Sequence, residues 1–393
     1  MSCIDAPDTL EQALHVSAGE RAVTIGLPAT ATADDQRFLL TPECASVLIE
    51  RGFRVRMERG AGARIHYSDE GYAARGVEIV DRAEAFASDI VVYLPPLTVG
   101  DVAAMRRGAL VLTFAHFSKE DVHPYQRILR KHITVIDLMA VADSARRHPF
   151  ADILHEIDGR AAMAVAASML ADPVHGKGIL LGGVAGVVPC EVMVIGSDIA
   201  ACAAARSAIG MGATVRMFDD NIYSLRTAVQ TLGPGVISSS MHTKVFNNAL
   251  ATADIVIITD AEGRIVVNSD MMASMKRGVI AFDLSGTAGK TFPAMQLVDL
   301  DLAAEVATIG AGPRVCYVNA GNTVPRTVAM ALGNIFVALL NNNLACDGIV
   351  NSLKLNAGMR AAAVTFVGKV VSQRLGQLLG MRALDISIFL QFT

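Results

Sequence analysis

Much that would direct a chain of 393 residues toward a metal, a membrane or a nucleic acid is missing here. The six cysteines (Cys3, Cys44, Cys190, Cys202, Cys316, Cys346) are scattered without any C-x-x-C spacing, so neither a zinc site nor a disulfide framework is indicated, and no metal is expected. Buried thiols are the plainer reading. Charged residues make up only 18%, and the net charge of −4 comes without a basic cluster, which argues against nucleic acid. No uninterrupted apolar stretch reaches the length of a membrane span, although hydrophobic residues make up 52%. The N-terminal stretch is acidic and lacks the basic-then-apolar order of a secretory signal, so a cytoplasmic protein with no membrane partner is the expectation.

What is present is a large core and a repeated α/β pattern. The length suggests two domains. Short apolar runs at Val23–Leu27, Phe53–Glu58, Ile90–Leu94 and Leu110–Phe114 read as strands, with helices at Pro42–Arg51 and Asp69–Arg75 between them. A second series starts at Val192 and continues through Val236–Ser239, Ile255–Thr259, Val279–Asp283 and Cys316–Asn319. The spacing predicts an α/β protein of two doubly wound parallel-sheet, Rossmann-like domains. Two apolar segments free of internal proline, Ile153–Leu170 and Thr327–Asn342, are read as long helices joining them. If the second returns the chain, one domain is discontinuous, with residues 1–150 plus 328–393 in one unit and 151–327 in the other. The Gly-rich stretch Gly176–Val187 reads as a hairpin or loop, because it lacks the Lys-Ser/Thr pair of a phosphate cradle.

The most informative segment is Glu191–Asp219, a strand, turn, helix and second strand that closes on an acid. This is the layout of a dinucleotide site, in which three glycines make the tight turn, admit the pyrophosphate and let helix pack on strand. Here those places hold Gly196, Asp198 and Ala201. Gly196, Asp198, Ile199 and Asp219 are therefore the candidate cofactor residues, Asp219 as the acid for the adenosine ribose, which points to NAD. Asp198 sets a Cβ and a negative charge where the phosphates would lie, so binding is expected to be weakened or lost. Its alternative role is to cap its own helix.

The stretches IGLPATATADDQRFLLTPE, ERGAGARIHYSDEGYAARGVEIV, VLTFAHF, GKGILLGGVAGV, MKRGVIAFDLS and VNAGNTVPRT together resemble the alanine dehydrogenase and transhydrogenase α-subunit family over nearly the whole chain. The resemblance implies a substrate domain, an NAD domain, a cleft between them and a homo-oligomer, commonly a hexamer. It also implies NAD-dependent oxidative deamination of L-alanine to pyruvate. It places the substrate carboxylate on Arg37, the proton-transferring histidine on His116 and a cofactor-edge residue on Asn319, with Glu156 and Arg160 near the hinge and His155 in place of a small serine. Two expected groups have no match: the substrate lysine falls at Tyr93 or Pro95, and the catalytic aspartate at Thr287, while Asp283 keeps a strand-end role. Lys290 or Lys119 is a possible substitute for the lysine. The alternatives are therefore a catalytically weak paralogue serving as a binding or oligomeric partner subunit, and a dehydrogenase of this fold that acts on another small amino or keto acid.

Overall fold

The computed structural model describes residues 22–30, 37–115, 117, 122–259, 264–300, 315–343, 353–354 and 356–391. Fifteen strands among them form two sheets. The first sheet takes β1 (Thr24–Leu27), β2 (Arg54–Glu58), β3 (Glu78–Val80), β4 (Ile90–Val92), β5 (Leu110–Thr113) and β6 (Thr134–Asp137), all parallel. Two late strands, β14 (Ala363–Phe366) and β15 (Lys369–Val370), extend it antiparallel, giving the order β15-β14-β6-β5-β4-β1-β2-β3. The second sheet is wholly parallel and contains β7 (Glu191–Ile195), β8 (Thr214–Phe218), β9 (Val236–Ser239), β10 (Ile255–Ile258), β11 (Ile280–Asp283), β12 (Gln296–Asp299) and β13 (Val315–Val318). Its order is β12-β13-β11-β10-β7-β8-β9.

The central strands β1, β4, β5, β7, β10 and β11 are buried almost end to end. This follows from their runs of Ile, Val and Leu, which suit a parallel sheet covered on both faces. The sheet class agrees with the α/β expectation, and the antiparallel pair β14–β15 is an addition the sequence pattern did not reveal. The strands β3, β6 and β12 were also unread; β3 and β12 mix charged or polar residues with apolar ones and so give no apolar run.

Two long helices run between the sheets. The linking helix Pro149–Ala171 starts with proline at its first turn, and the return helix Pro325–Asn343 starts the same way, where a missing N–H costs nothing. The linking helix packs on the helix Ile199–Gly210 so closely that Gly159 admits no side chain. A Cβ there would lie 2.2 Å from the Ala200 carbonyl oxygen. The Gly-rich segment is a loop closed by a single bridge between Val184 and Val187, with Gly183 and Gly186 at positive φ. Among the described residues, no helix is long and apolar enough to cross a membrane.

Candidate functional site

In each sheet the strand order reverses beside its first strand, between β1 and β4 and between β7 and β10. Ligands of open α/β sheets sit beyond the strand C-termini at such reversals. Both crevice-forming ends carry candidate residues.

On the second sheet, Gly196 follows β7 at φ +115°, a conformation that needs glycine, and makes the tight turn. Asp198 is the N-cap of Ile199–Gly210, and its carboxylate accepts the Ala201 N–H at 2.9 Å. The capping role is therefore realised. Asp198 is open to solvent but crowded by protein, and burial pushes its carboxyl above the usual range. The Ala201 N–H, the Thr259 hydroxyl and the charge of His155 act in the opposite sense. Ala201 is fully buried. Ile199 is exposed and, with Asp198, borders a cavity of about 420 Å³ between this helix and Ile222–Leu232, lined also by Glu156, Cys202 and Arg206.

Asp219, at the end of β8, is only 6% exposed. Its carboxylate accepts the Ser197 hydroxyl at 2.6 Å and the Asn221 N–H at 2.8 Å, and Arg264 lies 3.6 Å away. A dinucleotide would need two anchors here, the helix N–H groups for its phosphates and this acid for its ribose. Asp198 engages the first, and Ser197, Asn221 and Arg264 engage the second. In this conformation both anchors carry contacts within the protein.

Asn319 adopts the left-handed conformation (φ 55°, ψ 42°) after β13, and its side-chain amide donates to Asp299. The turn that follows carries Gly321, whose N–H donates to the Asp158 carboxylate at 2.7 Å. Asp283 serves the strand end: its carboxylate accepts Ser285 N–H at 3.0 Å, the Ser285 hydroxyl at 2.6 Å and Gly289 N–H at 2.8 Å. That loop presents Thr287, and Lys290 at its end is exposed.

On the first sheet, the Arg37 guanidinium lies 5.1 Å over the Phe114 ring, just beyond β5. His116 and Lys119 lie outside the described residues. Tyr93 is core, 3% exposed, and forms an edge contact with Phe86. The cation beside it is Arg82, which donates to the Ala29 carbonyl at 2.8 Å, Glu58 at 3.1 Å and Asp101 at 2.8 Å. Glu58 in turn accepts the Ala29 N–H at 2.7 Å. Arg82 thus fixes the exit of β1 rather than standing in for the absent lysine.

The linking helix joins the two ends. Glu156 and Arg160 pair with each other at 2.7 Å along the helix surface. Asp158, one turn beyond His155, feels the charges of both His155 and Arg37. Burial raises its carboxyl above the usual range, and the Gly321 N–H and the two cations oppose that rise. Arg37 and His155 both favour the charged form of Asp158, and His155 also favours that of Asp198. Sequence reading missed Asp158, Ser197, Arg82 and Arg264. Only Asp158 left a signal, its i,i+3 spacing from His155, which puts both on one helix face. No cluster of metal-binding type occurs among the described residues.

Comparison with known proteins supplies the family. Residues 26–156 match Alanine dehydrogenase/PNT, N-terminal domain, and residues 162–373 match Alanine dehydrogenase/PNT, C-terminal domain. The chain is 30% identical to alanine dehydrogenase of Bacillus subtilis over 363 residues, 91% of this chain and 94% of that protein. A solved L-alanine dehydrogenase shares the fold with a TM-score of 0.75 at 23% identity, covering 91% of this chain and 99% of that one. A transhydrogenase from Sinorhizobium meliloti gives 0.73 at 20% identity, over 88% and 100%. With both of its domains matched and the two sheets in place, this chain belongs to the alanine dehydrogenase/PNT family.

Proposed function

We propose that the crevice binds a small amino or oxo acid through Arg37, and that the protein is a weak or inactive relative of NAD-dependent alanine dehydrogenases. The observation that carries this is the Asp198 cap. Its carboxylate takes the helix N–H group that a phosphate would use, and it adds a negative charge at the same place. The engaged Asp219 and the loss of a carboxylate at Thr287 point the same way. Groups that act as a unit in catalysis lose most of the rate when one is removed, while binding can persist.

In this reading Arg37 holds a carboxylate with its planar fork, steadied on Phe114. His116 is the candidate for proton transfer. Residues 1–150 with 328–393 form the substrate unit, and 151–327 the nucleotide unit. A homo-oligomer is supported by the Gly-rich loop: Val174, Leu180, Val184, Val187 and Val188 are all more than half exposed. No charged residue interrupts positions 178–190. Contiguous apolar surface of this kind marks an interface.

The test is to incubate the purified protein with NAD and L-alanine and follow NADH formation, alongside a titration with NADH. Weak NADH binding with little or no turnover is expected. Brisk, saturable production of pyruvate would refute the proposal.

A further inference from the structure

We infer that Asp158 and Gly321 form a clasp that ties the two passages of the chain between the sheets into one pivot and so fixes the angle between the sheets. This holds whatever the crevice binds.

The chain passes between the two cores twice, and each passage changes sides over a few residues. On the linking helix, Phe150, Leu154 and Ile157 belong to the core of the first sheet, whereas Ala161, Ala162 and Met163 belong to that of the second. Gly159 already rests on the second side, because a Cβ there would stand 2.2 Å from the Ala200 carbonyl oxygen. Asp158 is thus the residue between the two packings. On the return, Ala320 lies in the second core and Val328, Ala329 and Leu332 lie in the first, while Val324 packs against both. Arg326 is attached to the first side, its guanidinium 4.4 Å over the Tyr67 ring.

The hydrogen bond from the Gly321 N–H to Asp158 Oδ1, at 2.7 Å, joins the passages at these points of change. Both of its ends are held. Asp158 sits within a helix of 23 residues. Gly321 sits in a turn closed by its own bonds: Asn322 N–H to the Asn319 carbonyl at 3.0 Å, Val324 N–H to the Gly321 carbonyl at 3.1 Å, and the Thr323 hydroxyl to the Ala320 carbonyl at 2.8 Å. The carboxylate approaches this closely because position 321 is glycine; a Cβ there would stand 2.5 Å from Asp158 Oδ1. A rotation of one sheet against the other must twist both passages here, and a charge-assisted bond across them opposes it.

The experiment is hydrogen–deuterium exchange of the full chain, read by mass spectrometry, for the wild type, Asp158→Ala, Gly321→Ala and Asp158→Asn. Small-angle scattering of each, at a subunit number matched by sedimentation, accompanies it. Asp158→Ala removes the acceptor, and Gly321→Ala displaces it from the other side. Each should speed exchange around both Asp158 and Gly321 by about tenfold or more and broaden the distribution of interatomic distances, while β1, β5, β7 and β10 keep wild-type protection. Asp158→Asn still offers an oxygen to the Gly321 N–H and should resemble the wild type. Faster exchange throughout the chain overturns the clasp, since Asp158 would then stabilise the whole fold without acting at the pivot. Faster exchange in the turn alone with unchanged scattering overturns it too, as does no change in either measurement. Should Asp158→Ala fail to fold, Gly321→Ala beside Asp158→Asn decides the same question.

Discussion

Replacing Asp198 with glycine should tighten dinucleotide binding, and the size of the effect follows from the cap geometry. The carboxylate holds the Ala201 N–H at 2.9 Å. A phosphate drawn to the same helix terminus would sit about 4 Å from it, where two unit charges repel by about 1 kcal/mol in bulk water and about 4 kcal/mol near a protein surface. Asp198 is exposed, so the lower part of that range applies. Removing about 1–2 kcal/mol of repulsion corresponds to roughly fivefold to thirtyfold in affinity. The helix loses little, because glycine as an N-cap costs only a few tenths of a kcal/mol relative to aspartate. The chain contains no tryptophan, so energy transfer from protein to NADH is not a usable readout. Direct excitation of the nicotinamide, or calorimetry, measures the dissociation constant instead. A variant that folds normally and binds NADH no better than the wild type would show that this carboxylate does not lie beside the phosphates.

Other outcomes test other parts of the structure. Asp198→Asn keeps a good cap without the crowded charge. Because burial raises the folded-state pKa, the wild type is most favoured below the unfolded carboxyl range and loses that contribution as pH rises through the raised value. Asp198→Asn should therefore melt higher than wild type at neutral pH, with the difference shrinking in acid. Ser197→Ala leaves the buried Asp219 short of a 2.6 Å donor and should cost about 1–3 kcal/mol in urea denaturation. Gly159→Ala drives a methyl into the Ala200 carbonyl and should cost about 3 kcal/mol by the same measurement. Leu180→Asp with Val188→Asp puts charges on the exposed loop and should lower the sedimentation coefficient if that loop joins subunits.

Most strands of the second sheet were legible because their cores are short apolar runs. Thr214–Phe218 and Val236–Ser239 have the bounds the pattern gave, β7, β10 and β11 differ by a residue at one end, β13 is shifted by one residue, and β12 was not read. The two long helices were legible from their proline-free apolar length. The antiparallel pair β14–β15 was not, since Ala363–Phe366 carries no pattern that distinguishes a strand added to a distant edge. At the crevice, Asp198 could be placed because a known turn geometry assigns its position. Asp158 could not, because its significance depends on Gly321, which approaches from 163 residues away. Ser197 and Arg264 gain meaning only as partners of Asp219, and contacts of that kind arise from tertiary packing rather than from local spacing.

The completion of the first sheet by β14 has a consequence for biosynthesis. The Thr365 hydroxyl accepts the Val135 N–H and donates to the Ile133 carbonyl, the first of these contacts spanning 230 positions. The segment that covers the open side of β6 is therefore synthesised some 230 residues after it, when every strand of the second sheet has already been made and can pair. During that interval β6 presents unpaired backbone to the surroundings, the kind of template on which other nascent strands aggregate. Closure of the first sheet is accordingly a late, long-range event in the folding of this chain.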